Sequence, residues 1–320
     1  MKKIVILFFI AVTTHAIEKN SEPIRPLPLN LKDNNPEKMQ LGFLLFNEKK
    51  LSANNTISCA SCHALNAFGV DGLAKSVGIH GGIGSINAPT VFNSGLNFVQ
   101  FWNGRAKTLE EQIDGPLLHP KEMGNSWAQA VAKLNQDKKY REAFSAIYRD
   151  GITVANVKNA IADFERKLTT PNSKFDRYLR GEKTLSELEE NGYKRFKSLG
   201  CISCHQGQNI GGNMFQTMGV MGNYFKDRKD MPQTEDDLGR YLVTKRDRDK
   251  FVFRVPSLRN VEMTAPYFHD GYAKTLDQAV DIMGRYQLGQ KLSQRDITSI
   301  VVFLKTLTGE TPSVLKKVEK

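Results

Sequence analysis

All four cysteines of the 320-residue chain stand in two copies of one pattern, Cys59-Ala60-Ser61-Cys62-His63 and Cys201-Ile202-Ser203-Cys204-His205. Two thiols at this spacing can form thioethers to the two vinyl groups of one haem. The histidine that follows is then placed to ligate the iron from the proximal side. Other chemistries use paired cysteines. A thioredoxin-like pair needs no following His and belongs in a βαβ context. A zinc site sets its two C-x-x-C units roughly 15–20 residues apart, whereas these lie 142 apart. Two disulfides fit the composition of an exported chain. Two copies that use every cysteine and both carry the His favour haem. On this reading Cys59, Cys62 and His63 hold one haem, and Cys201, Cys204 and His205 hold the other.

The sixth ligand decides what each iron does. Outside the two motifs the histidines are His15, His80, His119 and His269. His80 lies in a Gly-rich stretch, VGIHGGIGS, 17 residues after His63, and is a ligand candidate on the residues alone. His119 and His269 read as structural. Met214, Met218, Met221, Met263 and Met283 all follow the second motif, so spacing alone does not choose among them. A His/His iron has a low potential and is closed to substrate, while an axial Met raises the potential.

These groups need a scaffold, and apolar residues at three- and four-residue spacing supply helices for it. Met39, Leu41, Leu44 and Leu45 precede the first motif; Leu185, Leu188, Tyr193 and Phe196 precede the second. This helix, connector and C-x-x-C-H arrangement is a distant internal repeat. Further helices are expected as one or two elements over 127–148, over 154–168 with Thr153 as N-cap, and over 293–307, where Ser293 and Asp296 resemble a capping box. Little of the chain alternates with period two. The fold expected is mainly α, with two cytochrome-c-like helical domains at 17–170 and 171–320, each carrying one haem c. The Gly-rich stretches 77–85 and 207–222 are expected to be loops over the haems.

Residues 1–16 read as a cleaved secretory signal: Lys2 and Lys3, a short apolar run, then Thr14 and Ala16 before the cleavage site. The run is well short of the ~20 residues that span a bilayer, so a periplasmic protein without a membrane span is expected. The formal charge is +11. Export argues against a nucleic-acid partner. Basic and acidic residues alternate in KDRKD (226–230) and KRDRDK (245–250), which read as solvated faces with a lesser part in docking an acidic redox partner.

Longer blocks carry a resemblance. GFLLFNEKKLSANNTISCASCHAL, VGIHGGIGSINAPTVFN, QFWNGRAKTLEEQIDGPLLHPKEMG, CISCHQG, VPSLRNVEMTAPYFHDGYAKTLDQAV and MGRYQLG stand in the order and near the spacing of the bacterial dihaem cytochrome c peroxidases, which the chain closely resembles from about Leu41 to Leu307. The resemblance implies reduction of hydrogen peroxide to water with electrons from a small periplasmic donor such as a monohaem cytochrome c. It implies that electrons arrive at a high-potential C-terminal haem and pass to a low-potential, peroxide-binding N-terminal haem. His80 matches the distal ligand of the N-terminal haem, in a loop one residue shorter up to Asn87 than in some relatives. Met283 matches the distal ligand of the C-terminal haem; Met263 does not. Glu122 matches the catalytic acid/base, Gln112 its neighbour in the peroxide pocket, and Trp102 the aromatic between the haems. Asn87, Thr264 and Pro266 match an interdomain calcium site, and the resemblance also implies a homodimer. Without it, Glu122 reads as a surface carboxylate and Trp102 as core. Two other functions compete. A plain electron carrier has no use for a distal acid. A related enzyme that oxidises residues of a partner protein carries Tyr where this chain has Met283.

Overall fold

The computed structural model describes residues 22–29 and 35–318. The expected signal segment, 1–16, lies outside the described residues. Four long helices form two crossings, and local sequence explains where they start. Helix α1 (Pro36–Phe46) begins behind Asn35, whose side chain accepts the Lys38 amide at 2.8 Å. Pro36 sits at the first helical position, where a missing N–H costs nothing. Helix α2 (Val154–Arg166) is capped by Thr153, α3 (Glu187–Ser198) by Ser186 and α4 (Gln294–Lys305) by Ser293. The stretch 127–148 forms two helices, Trp127–Gln136 and Lys138–Ile147. Asp137 between them ends one and caps the other.

Helix α1 crosses α2, and α3 crosses α4. Each crossing needs a glycine. A Cβ on Gly42 would collide with the Ala160 carbonyl, and one on Gly192 with the Ser299 carbonyl. Phe164 and Phe303 flank the two contacts and are fully buried. The N-terminal core gathers around Leu45, Phe46, Phe144 and Phe164; the C-terminal core gathers around Phe175, Tyr193, Phe196 and Phe303. A third, aromatic cluster of Trp102, Tyr224, Phe225 and Phe253 lies beside the C-terminal core, with Phe268 and Ile282 packed against both.

The repeat runs deeper than the helix and C-x-x-C-H pattern. Ala106-Lys107-Thr108-Leu109 recurs as Ala273-Lys274-Thr275-Leu276. Before each, the Gln100 and Tyr267 amides donate to Ala106 and Ala273, both at 2.8 Å. Phe101 and Phe268 take left-handed φ of 64° and 70°. Trp102 and His269 are therefore equivalent positions. Asn93 and Asn260, with φ of 62° and 60°, donate their amides to Leu168 and Leu307. Both also reach the Thr170 hydroxyl, at 2.8 and 2.9 Å, which ties the domains together through buried amides.

Three features differ from expectation. The Gly-rich stretch 207–222 contains a strand, β1 (Phe215–Thr217), antiparallel to β2 (Val252–Arg254) with Phe215 opposite Arg254. The termini cross the boundary at 170. Ile24 is buried in the C-terminal core, Glu22 binds Tyr193 and Lys197, and Gly207 donates to Pro23 at 2.9 Å. Conversely, Val314, Leu315 and Val318 lie in the N-terminal core. Finally, Arg228 of KDRKD is buried rather than solvated, because Asp237 and Asp270 neutralise it.

Candidate active site

Each C-x-x-C-H forms one tight turn. Cys59–Cys62 is a single helical turn entered from Ser58, and His63 donates its amide to the Cys59 carbonyl at 3.0 Å. Cys201–Ser203 is a 3₁₀ turn, and His205 donates to Cys201 at the same distance. The four thiols are not paired as disulfides. Burial pushes Cys59 up to about 12 and Cys201 up to about 11. This is the opposite of the depressed thiol a redox-active C-x-x-C requires.

The histidines are suited to metal. Burial lowers both, His205 to about 4, so each imidazole is neutral at physiological pH. His63 places Nδ1 3.3 Å from the Gly69 carbonyl, which fixes the hydrogen there and leaves Nε2 free to ligate. His205 Nδ1 is buried beside the carbonyls of Ile210 and Pro256. Arg254 is 3% exposed and, among the described residues, finds only neutral acceptors, the Phe101 carbonyl at 3.3 Å and Asn97 Oδ1 at 3.2 Å. Burial lowers its guanidinium to about 10. A buried cation without a counter-charge fits a cofactor that carries carboxylates. Free thiols, neutral imidazoles and this arginine together fit a covalently held haem in each domain.

Glu122 is half-buried, and its backbone is tied into the fold. Its carbonyl accepts the Ile79 amide at 2.8 Å, and Gly78 lies directly on its backbone. The acid is thereby joined to the turn Ile79–Gly81 that carries His80. Its carboxylate lies 3.6 Å from His119 Nδ1. Desolvation raises the Glu122 carboxyl above its ordinary value, and His119 and Arg105 offset only part of the rise. His80 itself is exposed at the crest of its turn, with φ of 54°. Gln112 ends the short helix Leu109–Gln112 and is half-buried. No hydrogen bond joins it to Glu122 among the described residues.

Phe101 and Arg105 line a cleft of about 490 Å³ with Leu118, His119 and Pro120. The Arg105 guanidinium lies 3.3 Å from the centre of the Phe101 ring. Sequence reasoning passed over both residues. The signal was available in the A-K-T-L repeat, which marks 100–112 as a built unit.

On the domain seam, Trp102 Nε1 donates to the Asn87 carbonyl at 2.9 Å, and the Asn87 amide donates to the His269 carbonyl at 2.7 Å. The Trp102 and His269 rings meet edge to face at 6.3 Å, and His269 stacks on Phe253 at 4.4 Å. Asp237 holds His269 Nε2 at 2.7 Å. Asp237, His269 and Asp270 are close enough to suggest a cation site, but both carboxylates are already bound by Arg228. Asn87 Nδ2 donates to Leu73, leaving the side-chain oxygen as a hard donor. Thr264 and Pro266 lie on the segment leading to His269. Met283 is half-buried and opens a single π-helical turn, Met283–Gln287, a feature frequent at functional sites.

Known proteins share this organisation. The family model for di-haem cytochrome c peroxidase matches residues 36–184. The cytochrome c551 peroxidase of Nitrosomonas europaea is 44% identical over 91% of this chain and 86% of its own. The chain belongs to the di-haem cytochrome c peroxidase family. Two haem c groups and a peroxidase oxidoreductase follow from that membership. The cytochrome c551 peroxidase of Pseudomonas aeruginosa is 39% identical over 87% of this chain and 80% of its own. The peroxidase Ccp of Escherichia coli is 48% identical over 92% of this chain, which spans 63% of that longer protein. Among solved structures, a MauG-like protein associated with microbial copper homeostasis is 31% identical with a TM-score of 0.78, covering 92% of this chain and 96% of that one. The mainly α, two-domain architecture is thus that of di-haem peroxidases. Among the described residues no helix is long and apolar enough to cross a membrane.

Proposed function

We propose that this peroxidase reduces hydrogen peroxide to water at the N-terminal haem, held by Cys59, Cys62, His63 and, in one state, His80. Cys201, Cys204, His205 and Met283 would hold the C-terminal haem, which would supply the electrons. The observation that carries the reading is the hydrogen bond from Ile79 to Glu122. It joins a raised carboxyl to the loop of the exchangeable ligand. The haem supplies iron to hold peroxide and to deliver electrons. Glu122 takes the proton from the nearer peroxide oxygen and returns it to the farther one, which leaves as water. Gln112 orients the bound oxygen, and Arg105 contributes positive charge beside Glu122. Trp102, fixed by Asn87, fills the gap between the domains.

The donor is a small redox protein such as a monohaem cytochrome c, and the compartment is the periplasm. Asn87, Thr264 and Pro266 hold calcium through one amide and two backbone oxygens, with water completing the shell. This ties the His80 side of the first domain to the second. The working unit is a homodimer. The test is Met283→His in the holoprotein. Imidazole favours ferrous iron less than thioether does, so the C-terminal haem should fall in potential toward the N-terminal one and turnover should fall with it. Full turnover with the potentials still widely separated would remove Met283 as the ligand.

A further inference from the structure

The domain repeat assigns a role to a residue that the peroxide chemistry does not use. Leu168 and Leu307 donate their amides to the carbonyls of Glu165 and Leu304, at 3.0 and 3.1 Å, and each leucine carbonyl accepts from the equivalent Asn93 or Asn260. Ala160 and Ser299 meet Gly42 and Gly192 one turn earlier. In this register Glu165 stands where the second domain has Leu304. Both are buried, Glu165 at 5% exposure and Leu304 at 3%. The fold is therefore built with leucine at this position, and a carboxyl costs stability there.

Hydrogen bonding does not relieve the cost at one oxygen: among the described residues Glu165 Oε2 is buried with no hydrogen bond. Arg166 turns to Glu110 at 2.6 Å and to Asp163 at 2.8 Å, and Asp163 also pairs with Lys38 of α1. The charged and titratable groups that act on Glu165 are Arg166 of its own helix and Glu110 of the helix Leu109–Gln112. Burial raises the Cys59 thiol and the Glu165 charge adds to that rise; Cys59 also packs against the N-terminal core that holds Phe164, the residue next to Glu165. The carboxyl thus lies within electrostatic reach of the first haem-attachment turn.

We propose that Glu165 is the redox-linked proton site of the N-terminal haem domain, ionised beside ferric iron and protonated when that iron accepts an electron. In a potentiometric titration a low-potential chemical reductant supplies the electron, and solvent supplies the proton. Carboxylate becomes carboxylic acid as Fe(III) becomes Fe(II), and the local net charge is unchanged. Burial pushes the Glu165 carboxyl up to about 8, close enough to neutral pH for a change of charge at a haem held by Cys59 and Cys62 to shift its protonation. The proposal rests on placing a haem at Cys59, Cys62 and His63.

The experiment is a potentiometric titration of the holoprotein from about pH 6 to 9, followed by the visible bands of each haem, for the native protein, Glu165→Gln and Glu165→Leu. Glu165→Leu copies the second domain and should pack. The N-terminal potential of the native protein should fall with rising pH, approaching one proton per electron within the window, and should lose most of that slope in both variants. The C-terminal haem should respond to pH identically in all three. Infrared difference spectra on reduction should show a carboxylic-acid stretch in the native protein and in neither variant. A flat native slope, or an unchanged slope in the variants, with two haems present by mass, overturns the proposal alone. A mass showing no haem at Cys59 and Cys62 overturns the placement on which it rests, and the proposal with it.

Discussion

Ile79 donates its amide to the carbonyl of Glu122 at 2.8 Å, so the residue before His80 and the proposed catalytic acid share a backbone seam. Gly78 presses on the same strip, where a Cβ would stand 2.6 Å from the Glu122 Cα. A movement of the His80 turn is therefore felt at Glu122 before it reaches any side chain. The seam supplies a mechanical reason for placing the acid one hydrogen bond from the ligand loop.

Replacing Glu122 with Gln should lower turnover by roughly 10²-fold or more, the scale of lost general acid–base catalysis, with two haems still attached by mass. Glu122 must be ionised to accept a proton. Its carboxyl is raised by desolvation, so the rate should climb with pH through a value above the ordinary ~4.3 of glutamate. His119 lowers it by its charge, so His119→Ala should move that limb to higher pH. A pH–rate profile of the three proteins checks both points; an unshifted limb would separate His119 from Glu122.

Gly42→Ala and Gly192→Ala each place a methyl group against a backbone carbonyl that belongs to a facing helix. Each should cost roughly 1–3 kcal/mol, the usual range for overpacking, read as a lower denaturation midpoint at unchanged slope. Equal losses are expected because the two crossings are built alike. A neutral result at either would mean that the helices separate without cost.

Asp237 is buried between His269 and Arg228. Desolvation alone would raise its carboxyl, but hydrogen bonds from His269 and Arg228 outweigh it and hold it at about 2. Its folded value is depressed below the ordinary ~3.9. The stability it contributes is therefore complete above about pH 4 and is lost as pH falls toward 2. Asp237→Asn should cost roughly 3–5 kcal/mol at pH 7, the scale of breaking a buried pair, and the gap from the native protein should narrow through that acid window. Thermal unfolding at several pH values measures it. A gap independent of pH would assign the loss to shape rather than charge.

Local chemistry was legible in the sequence where it acts over a few residues. Thr153 and Ser293 cap helices as their spacing indicates, and both C-x-x-C-H motifs form the tight turns their chemistry needs. Long-range pairing was not legible. The ladder from Phe215 to Arg254 is three residues long on each side, too short to show alternation. Ile24 reaches a core that begins some 150 residues later, and nothing in its neighbourhood says so. Arg228 looks solvated in KDRKD because its partners, Asp237 and Asp270, are supplied by other segments. Glu165 is a charged residue inside the expected helix 154–168, and its immediate neighbours do not mark it as buried. The packing of the helix in three dimensions turns it inward, to the place Leu304 takes in the second domain.

The most direct measurement mixes the purified holoprotein with a reduced small cytochrome c and known amounts of hydrogen peroxide, and counts electrons. The account expects two donor molecules oxidised per peroxide, with two haems per chain by mass and a rate lost in Glu122→Gln. Two attached haems that exchange electrons with the donor, but with no peroxide-dependent donor oxidation, would contradict the account and leave an electron carrier in its place.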